Sequence, residues 1–233
     1  MIELASEYPH GTRLWQVDLD SYATLAPLDG LSSVEHQRAR SMAFDRDARR
    51  YLASRHALRR ALSVVTGALP QDIRIDADVV GKPCCPDLDV QFNISHSGRW
   101  GLIGIGTSGL AIGVDVEIVR SIPEVHALAS SHFSPTERQL WSNVPKKLRD
   151  ATFFALWVRK EACLKALGVG LAAEPSSINV SETLWTPKVD VPLGENRCEV
   201  SVYALEVPGE VTAAMALAEV SSVALARQYY QAS

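Results

Sequence analysis

The sequence predicts an α+β fold built on antiparallel sheets, from three observations. Segments of period-two patterning follow one another across short turns, as in "FNISHSGRWGLIGIG" and then "GLAIGVDVEIV". Two long stretches, "RDARRYLASRHALRRALSVVTG" and "ATFFALWVRKEACLKALG", carry apolar residues at helical spacing instead. With 233 residues, 47% of them apolar, the chain can bury the core of one large domain or of two half-sized lobes.

Taken in order, "RLWQVDL" reads as a first strand, and Ser32 with Glu35 forms a capping box opening a helix through "SVEHQRARSMAF". In the next helix Tyr51, Leu52, Leu58, Leu62 and Val65 recur on one side before Gly67 ends it. A turn-rich stretch, "VVGKPCCPDLDVQ", leads into a strand, a loop holding Ser95 and His96, and a second strand; a turn at Ser108 and Gly109 introduces the next. In "HFSPTERQLW", Ser134 is an N-cap, Pro135 the first helical residue and Glu137 the reciprocal cap. The helix over 151–168 follows. Beyond it "SINVSETLW", "CEVSVYALEV" and "EVTAAMALAEV" read as strands, with a Pro208-Gly209 turn between the last two.

Charge sets limits on function. The 23 basic and 27 acidic residues give a net charge of -4, so no bulk field draws the protein to nucleic acid or an anionic membrane. Eight arginines against three acids between Glu35 and Arg60 form a local basic patch, read either as a solvated helix face or as an anion site. The amino terminus has no basic segment followed by an apolar run, and no run of about eighteen apolar residues exists, so a cytoplasmic protein is expected. Cys84, Cys85, Cys163 and Cys198 lack C-x-x-C spacing and read as reduced thiols.

The segment "GVDVEIVR" carries the chemistry. Ile112, Val114, Val116 and Ile118 go to one face, and Gly113, Asp115 and Glu117 to the other. Carboxylates two apart on a strand lie about 7 Å apart and repel by roughly 2 kcal/mol at an effective dielectric near 20. A solvated outer face tolerates that, and so does a site holding a cation. Around Trp157, helical projection puts Phe154, Trp157, Glu161, Lys165 and Gly168 within about 40° of one direction. A Glu and a Lys thus share an apolar stripe, either as an i,i+4 ion pair or as part of a site. Asp115, Glu117 and Glu161 together would suit Mg²⁺ or Mn²⁺. Ser95 and His96 can donate to a phosphate, although a structural histidine reads equally well, and "GKP" puts Lys82 and Pro83 in a turn. Acids for a metal and cations for phosphates point to a polyphosphate substrate.

The sequence resembles the 4'-phosphopantetheinyl transferases of the surfactin-synthetase-activating type. Four ordered blocks carry the resemblance: "GKPCCPDL", "FNISHSGRW", "IGVDVE" with "FSPTE", and "WVRKEACLKALGVGL". The family pattern W-x-x-K-E-x-x-x-K-x-x-G-x-G is met at Trp157, Lys160, Glu161, Lys165, Gly168 and Gly170. The resemblance implies two similar α/β lobes related by pseudo-twofold symmetry, residues 1–110 and 111–233, with the active site in the cleft between them. It implies that Asp115, Glu117 and Glu161 hold Mg²⁺ on the coenzyme A pyrophosphate. Ser95 and His96 would contact phosphate oxygens, Lys82 and Pro83 would lie near the nucleotide, and Lys165 would neutralise the leaving phosphate. Arg50 and Arg55 are favoured for the 3'-phosphate. The implied reaction moves 4'-phosphopantetheine from coenzyme A to a serine of an apo acyl or peptidyl carrier protein of fatty acid, polyketide or nonribosomal peptide synthesis. Glu161 would be the general base, with His96 as second candidate. Two lobes in one chain suit a monomer. Two other readings stay open: a Mg²⁺-dependent hydrolase of a nucleotide pyrophosphate, and a non-catalytic module binding carrier proteins or coenzyme A.

Overall fold

Period-two segments pair into two antiparallel sheets in the computed structural model, which describes residues 1–4, 8–79, 81–106, 109–170, 173–184 and 187–232. The chain divides into two units, Met1–Ser108 and Gly109–Ser233.

The first unit runs β1 (Ile2–Glu3), β2 (Arg13–Asp18), α1 (Leu19–Leu25), α2 (Ser33–Arg40), α3 (Asp45–Thr66), β3 (Asp76–Ala77), β4 (Pro83–Cys84), β5 (Gln91–Ser97) and β6 (Trp100–Gly106). Its main sheet has the order β1-β2-β6-β5, while β3 and β4 form a separate small hairpin. Helix α2 opens on the expected capping box: the Ser32 hydroxyl accepts the Glu35 N–H, and the Glu35 carboxylate accepts the Ser32 N–H. It stops at Arg40, short of the expected Phe44, which instead caps α3 in extended conformation. Gly67 terminates α3 with φ 76°, a left-handed conformation that costs glycine nothing. The core sets Ala53, Ala57, Leu58, Ala61 and Leu62 of α3 against Trp15, Val17, Ile103 and Ile105 of the sheet.

The second unit runs β7 (Leu110–Ile118), α4 (Val125–His132), α5 (Pro135–Asn143), α6 (Arg149–Leu167), β8 (Lys188–Leu193), β9 (Asn196–Leu205), β10 (Val211–Glu219) and α7 (Val220–Ala232). Its sheet has the order β7-β10-β9-β8, and α6 packs on β7, β10 and β9. The capping box at Ser134 and Glu137 opens α5 as expected. Gly168 ends α6 with φ 65°.

Two segments correct the sequence reading. Ser95 and His96 lie on β5 itself, paired with Leu102 and Gly101, and the loop shrinks to the turn at Gly98 and Arg99. Their side chains therefore point to opposite faces of the sheet. The stretch "SINVSETLW" forms no strand in its described residues; short 3₁₀ turns stand at Pro175–Ser177 and Ser181–Leu184, and Trp185 lies outside the described residues. The reason is a competing set of partners. Lys160 Nζ, fully buried, donates to the carbonyls of Pro175, at 2.8 Å, and Ile178, while Glu137 Oε1 accepts the Val180 N–H at 2.7 Å. Those backbone groups go to a buried Lys–Glu pair, Nζ to Oε2 2.7 Å, instead of a sheet ladder. Of the expected turn before β7, Ser108 lies outside the described residues and Gly109 has φ 89°.

Candidate active site

Strand β7 and helix α6 bring the acids together, and a glycine lets them. A Cβ built at Gly113 would lie 2.9 Å from the Lys165 carbonyl carbon and closer still to Ala162 O and Ala166 N, all backbone atoms of α6. Only a residue without a side chain admits the helix at this point. Across the ladder, Ala214 pairs with Asp115, Ala216 with Gly113 and Ala218 with Ala111, so the sheet surface under α6 is lined with small residues. Gly113, Asp115 and Glu117 share that face, and the aliphatics Ile112, Val114 and Val116 point to the other, as the alternation predicts.

Lys165 Nζ donates to Asp115 Oδ1 at 2.6 Å, with the aspartate side chain 5% exposed and the lysine 29%. Arg120 approaches Glu117 at 3.6 Å and also lies over the Phe154 ring, 5.2 Å from its centroid. Burial pushes the Glu161 carboxyl up; Lys165 pulls it back, and the Asp115 and Glu117 charges push it up again, leaving it above its ordinary value. Glu161 is therefore close enough to Asp115 and Glu117 to be repelled by both. Phe154 is buried and Trp157 half-buried, stacked on Phe153, so Glu161 and Lys165 emerge at the margin of an apolar seat.

As donors, three carboxylates suit a hard divalent cation, and their mutual repulsion is the field such a cation relieves. As the side chains stand, however, the described residues form no closed group of three His, Cys, Asp or Glu ligands. Lys165 holds one Asp115 oxygen instead. The acids fit a divalent metal by the chemistry of their oxygens.

The expected residues of the first unit are placed as follows. Lys82 sits in the β3–β4 loop, where its N–H donates to Asp78 Oδ1 at 2.8 Å, with Pro83 opening β4. Ser95 is half-buried and His96 exposed. Arg50 makes two 2.7 Å bonds to Asp20. Arg55 is buried, its Nε 2.9 Å from Glu35 Oε1, and Arg59 holds the same carboxylate at 2.9 Å as well as the carbonyls of Pro70 and Ile73. That burial takes Arg55 out of the exposed cations, which among residues 35–60 are Arg38, Arg40, Arg46, Arg49 and Arg60. Sequence reasoning did not single out Gly113 as a contact or Lys160 and Glu137 as a pair. The signal for the first was present, a glycine inside a strand; nothing local marked the second.

A family model described as the 4'-phosphopantetheinyl transferase superfamily matches residues 111–214, and one described as 4'-phosphopantetheinyl transferase, N-terminal, matches residues 14–106. The 4'-phosphopantetheinyl transferase HetI of Nostoc is 34% identical over 165 residues, 68% of this chain and 69% of that protein. This chain belongs to the 4'-phosphopantetheinyl transferase family. The 4'-phosphopantetheinyl transferase Sfp of Bacillus subtilis is 31% identical over 77% of this chain and 79% of its own. A Synechocystis protein provisionally named a 4'-phosphopantetheinyl transferase is 36% identical over 66% of this chain, and the match spans 63% of it, just under two thirds. None of these matches supports the pyrophosphate hydrolase or the non-catalytic binding module. No helix among the described residues is long and apolar enough to cross a membrane.

Proposed function

We propose that this transferase is of the Sfp type: it moves 4'-phosphopantetheine from coenzyme A to a serine hydroxyl of an apo acyl or peptidyl carrier protein and releases 3',5'-ADP. The observation that carries the reading is the set of Asp115, Glu117, Glu161 and Lys165 on the facing surfaces of β7 and α6, in a chain of this family. In the transfer, the serine oxygen bonds to the β-phosphorus and the bridging bond to the α-phosphate breaks. Glu161 takes the serine proton, a role suited to a carboxylate whose basicity burial and its acidic neighbours raise. Lys165 offsets the charge that appears on the leaving α-phosphate. Asp115, Glu117 and Glu161 are the residues that would hold Mg²⁺, or Mn²⁺ in its place, which when bound neutralises pyrophosphate oxygens.

The reading gives Ser95 and His96 to phosphate oxygens, Lys82 and Pro83 to the nucleotide, and the 3'-phosphate to Arg50, with the exposed Arg38 and Arg49 near it in the chain. His96 stays a second candidate base. Residues 1–110 and 111–233 are read as the two lobes, and the enzyme as a cytoplasmic monomer that binds neither nucleic acid nor membrane. The test is the mass of an apo carrier protein after incubation with coenzyme A, Mg²⁺ and this protein. The carrier gains the phosphopantetheine arm, and Asp115→Asn and Glu161→Gln abolish the gain while retaining the wild-type circular dichroism spectrum. Absence of any gain across fatty acid, polyketide and peptide carriers refutes the reading.

A further inference from the structure

A buried carboxylate needs a cation, and here Lys165 supplies the one Asp115 is seen to hold, at 2.6 Å. The geometry of that pair is asymmetric. Asp115 is short, 5% exposed and fixed on a strand, while Lys165 is 29% exposed on a flexible four-carbon stem that carries a compact charge. The helix beneath it is fixed: its backbone lies against Gly113, and Lys160 ties it to Glu137 and to the 175–178 carbonyls. Of the pair, the lysine side chain has the more freedom to move.

We propose that Lys165 is the resident counter-cation of Asp115 and is exchanged for the divalent metal, so that metal loading releases the ammonium toward the coenzyme phosphate. The inference rests on the reading of Asp115, Glu117 and Glu161 as metal ligands. An ammonium 2.6 Å from one Asp115 oxygen repels a dication arriving at the same carboxylate and competes with it for that charge, so a bound metal weakens the hold of Asp115 on the lysine. The exchange also has an ordering consequence. Before the metal arrives the lysine is held by Asp115, and afterwards the same carboxylate no longer competes with phosphate for it.

The experiment titrates Mn²⁺ by electron paramagnetic resonance without coenzyme A, in the wild type and in Lys165→Met. The variant is expected to bind Mn²⁺ about tenfold more tightly, a difference of about 1.4 kcal/mol. Should that variant fail to fold, the wild type decides: the rate at which Lys165 is acetylated, read by peptide mass spectrometry, is expected to rise severalfold on adding Mg²⁺. Equal Mn²⁺ affinity in a folded Lys165→Met, or an acetylation rate that Mg²⁺ does not raise, overturns the exchange alone. If the wild type and the variant both fail to bind Mn²⁺, the assignment of the three acids to a metal falls, and the exchange with it.

Discussion

Gly113→Ala is the sharpest perturbation of this site, because it adds one methyl group and touches no charged residue. Its Cβ would fall inside 3.0 Å of three backbone atoms in α6, at Ala162, Lys165 and Ala166, and helix backbone cannot step aside as a side-chain tip can. Restoring carbon contacts of about 3.5 Å pushes α6 off the sheet by on the order of 1 Å. Overpacking of this kind costs roughly 1–3 kcal/mol. For a chain of this size that lowers the melting temperature by about 2–12 °C. The larger effect is on chemistry: Glu161 and Lys165 ride on α6 while Asp115 and Glu117 stay on β7, and a displacement near 1 Å costs about 100-fold in rate. Differential scanning fluorimetry and the rate of carrier mass gain measure the two effects. A Gly113→Ala protein with wild-type stability and rate would refute the claim that close seating of α6 on β7 builds the site.

Four further outcomes follow from the packing. Ala216→Val, cross-strand from Gly113 on the same face, should destabilise by roughly 1–3 kcal/mol in urea titrations for the same reason. Glu35→Ala should cost about 3–5 kcal/mol, because it leaves Arg55 and Arg59 buried without their carboxylate. Burial pushes Glu35 up, but the Ser32 N–H and the Arg59 and Arg55 guanidiniums outweigh it and hold the carboxyl below 4.5. Its contribution is therefore complete above pH 4.5 and lost as pH falls through the lower folded value, so acid destabilisation should be shallower in Glu35→Gln than in the wild type, compared by urea midpoint. Lys160→Met should lose about 3–5 kcal/mol by stranding Glu137, and Lys160→Met with Glu137→Gln should lose less, since the amide oxygen still accepts the Val180 N–H without a buried charge.

Local signals were read correctly where local chemistry decides. Both capping boxes and the glycine stop at Gly67 involve groups within four residues of one another, and all stand as the sequence implies. The segment 177–184 was misread because its strand-like alternation is local, whereas its Ile178 carbonyl and Val180 N–H are claimed by Lys160 and Glu137, up to 43 residues away. The short helices α1 and α4 and the C-terminal α7 went unread, the first two being only seven and eight residues long. The arginine patch shows the same limit: Glu35 was legible as a cap, but the partners that bury its charge lie 20 and 24 residues on, so Arg55 looked like a free cation.

At the site, alternation on β7 and projection on α6 were enough to put two acids on one face, and an acid and a cation on another. Neither pattern carries the distance between the two surfaces, which a methyl-sized gap at Gly113 sets. Nor does either say which charges meet. The sequence left Lys165 either to an i,i+4 pair with Glu161 or to a site, and in the structure it crosses to Asp115, fifty residues earlier, the more deeply buried carboxylate. Burial explains that choice: an ion pair with a carboxylate shut off from water offsets a larger desolvation cost than a pair at the helix margin. The question raised by two acids on one strand face thus has a physical answer within the chain itself, since a cation that makes Asp115 tolerable there is Lys165.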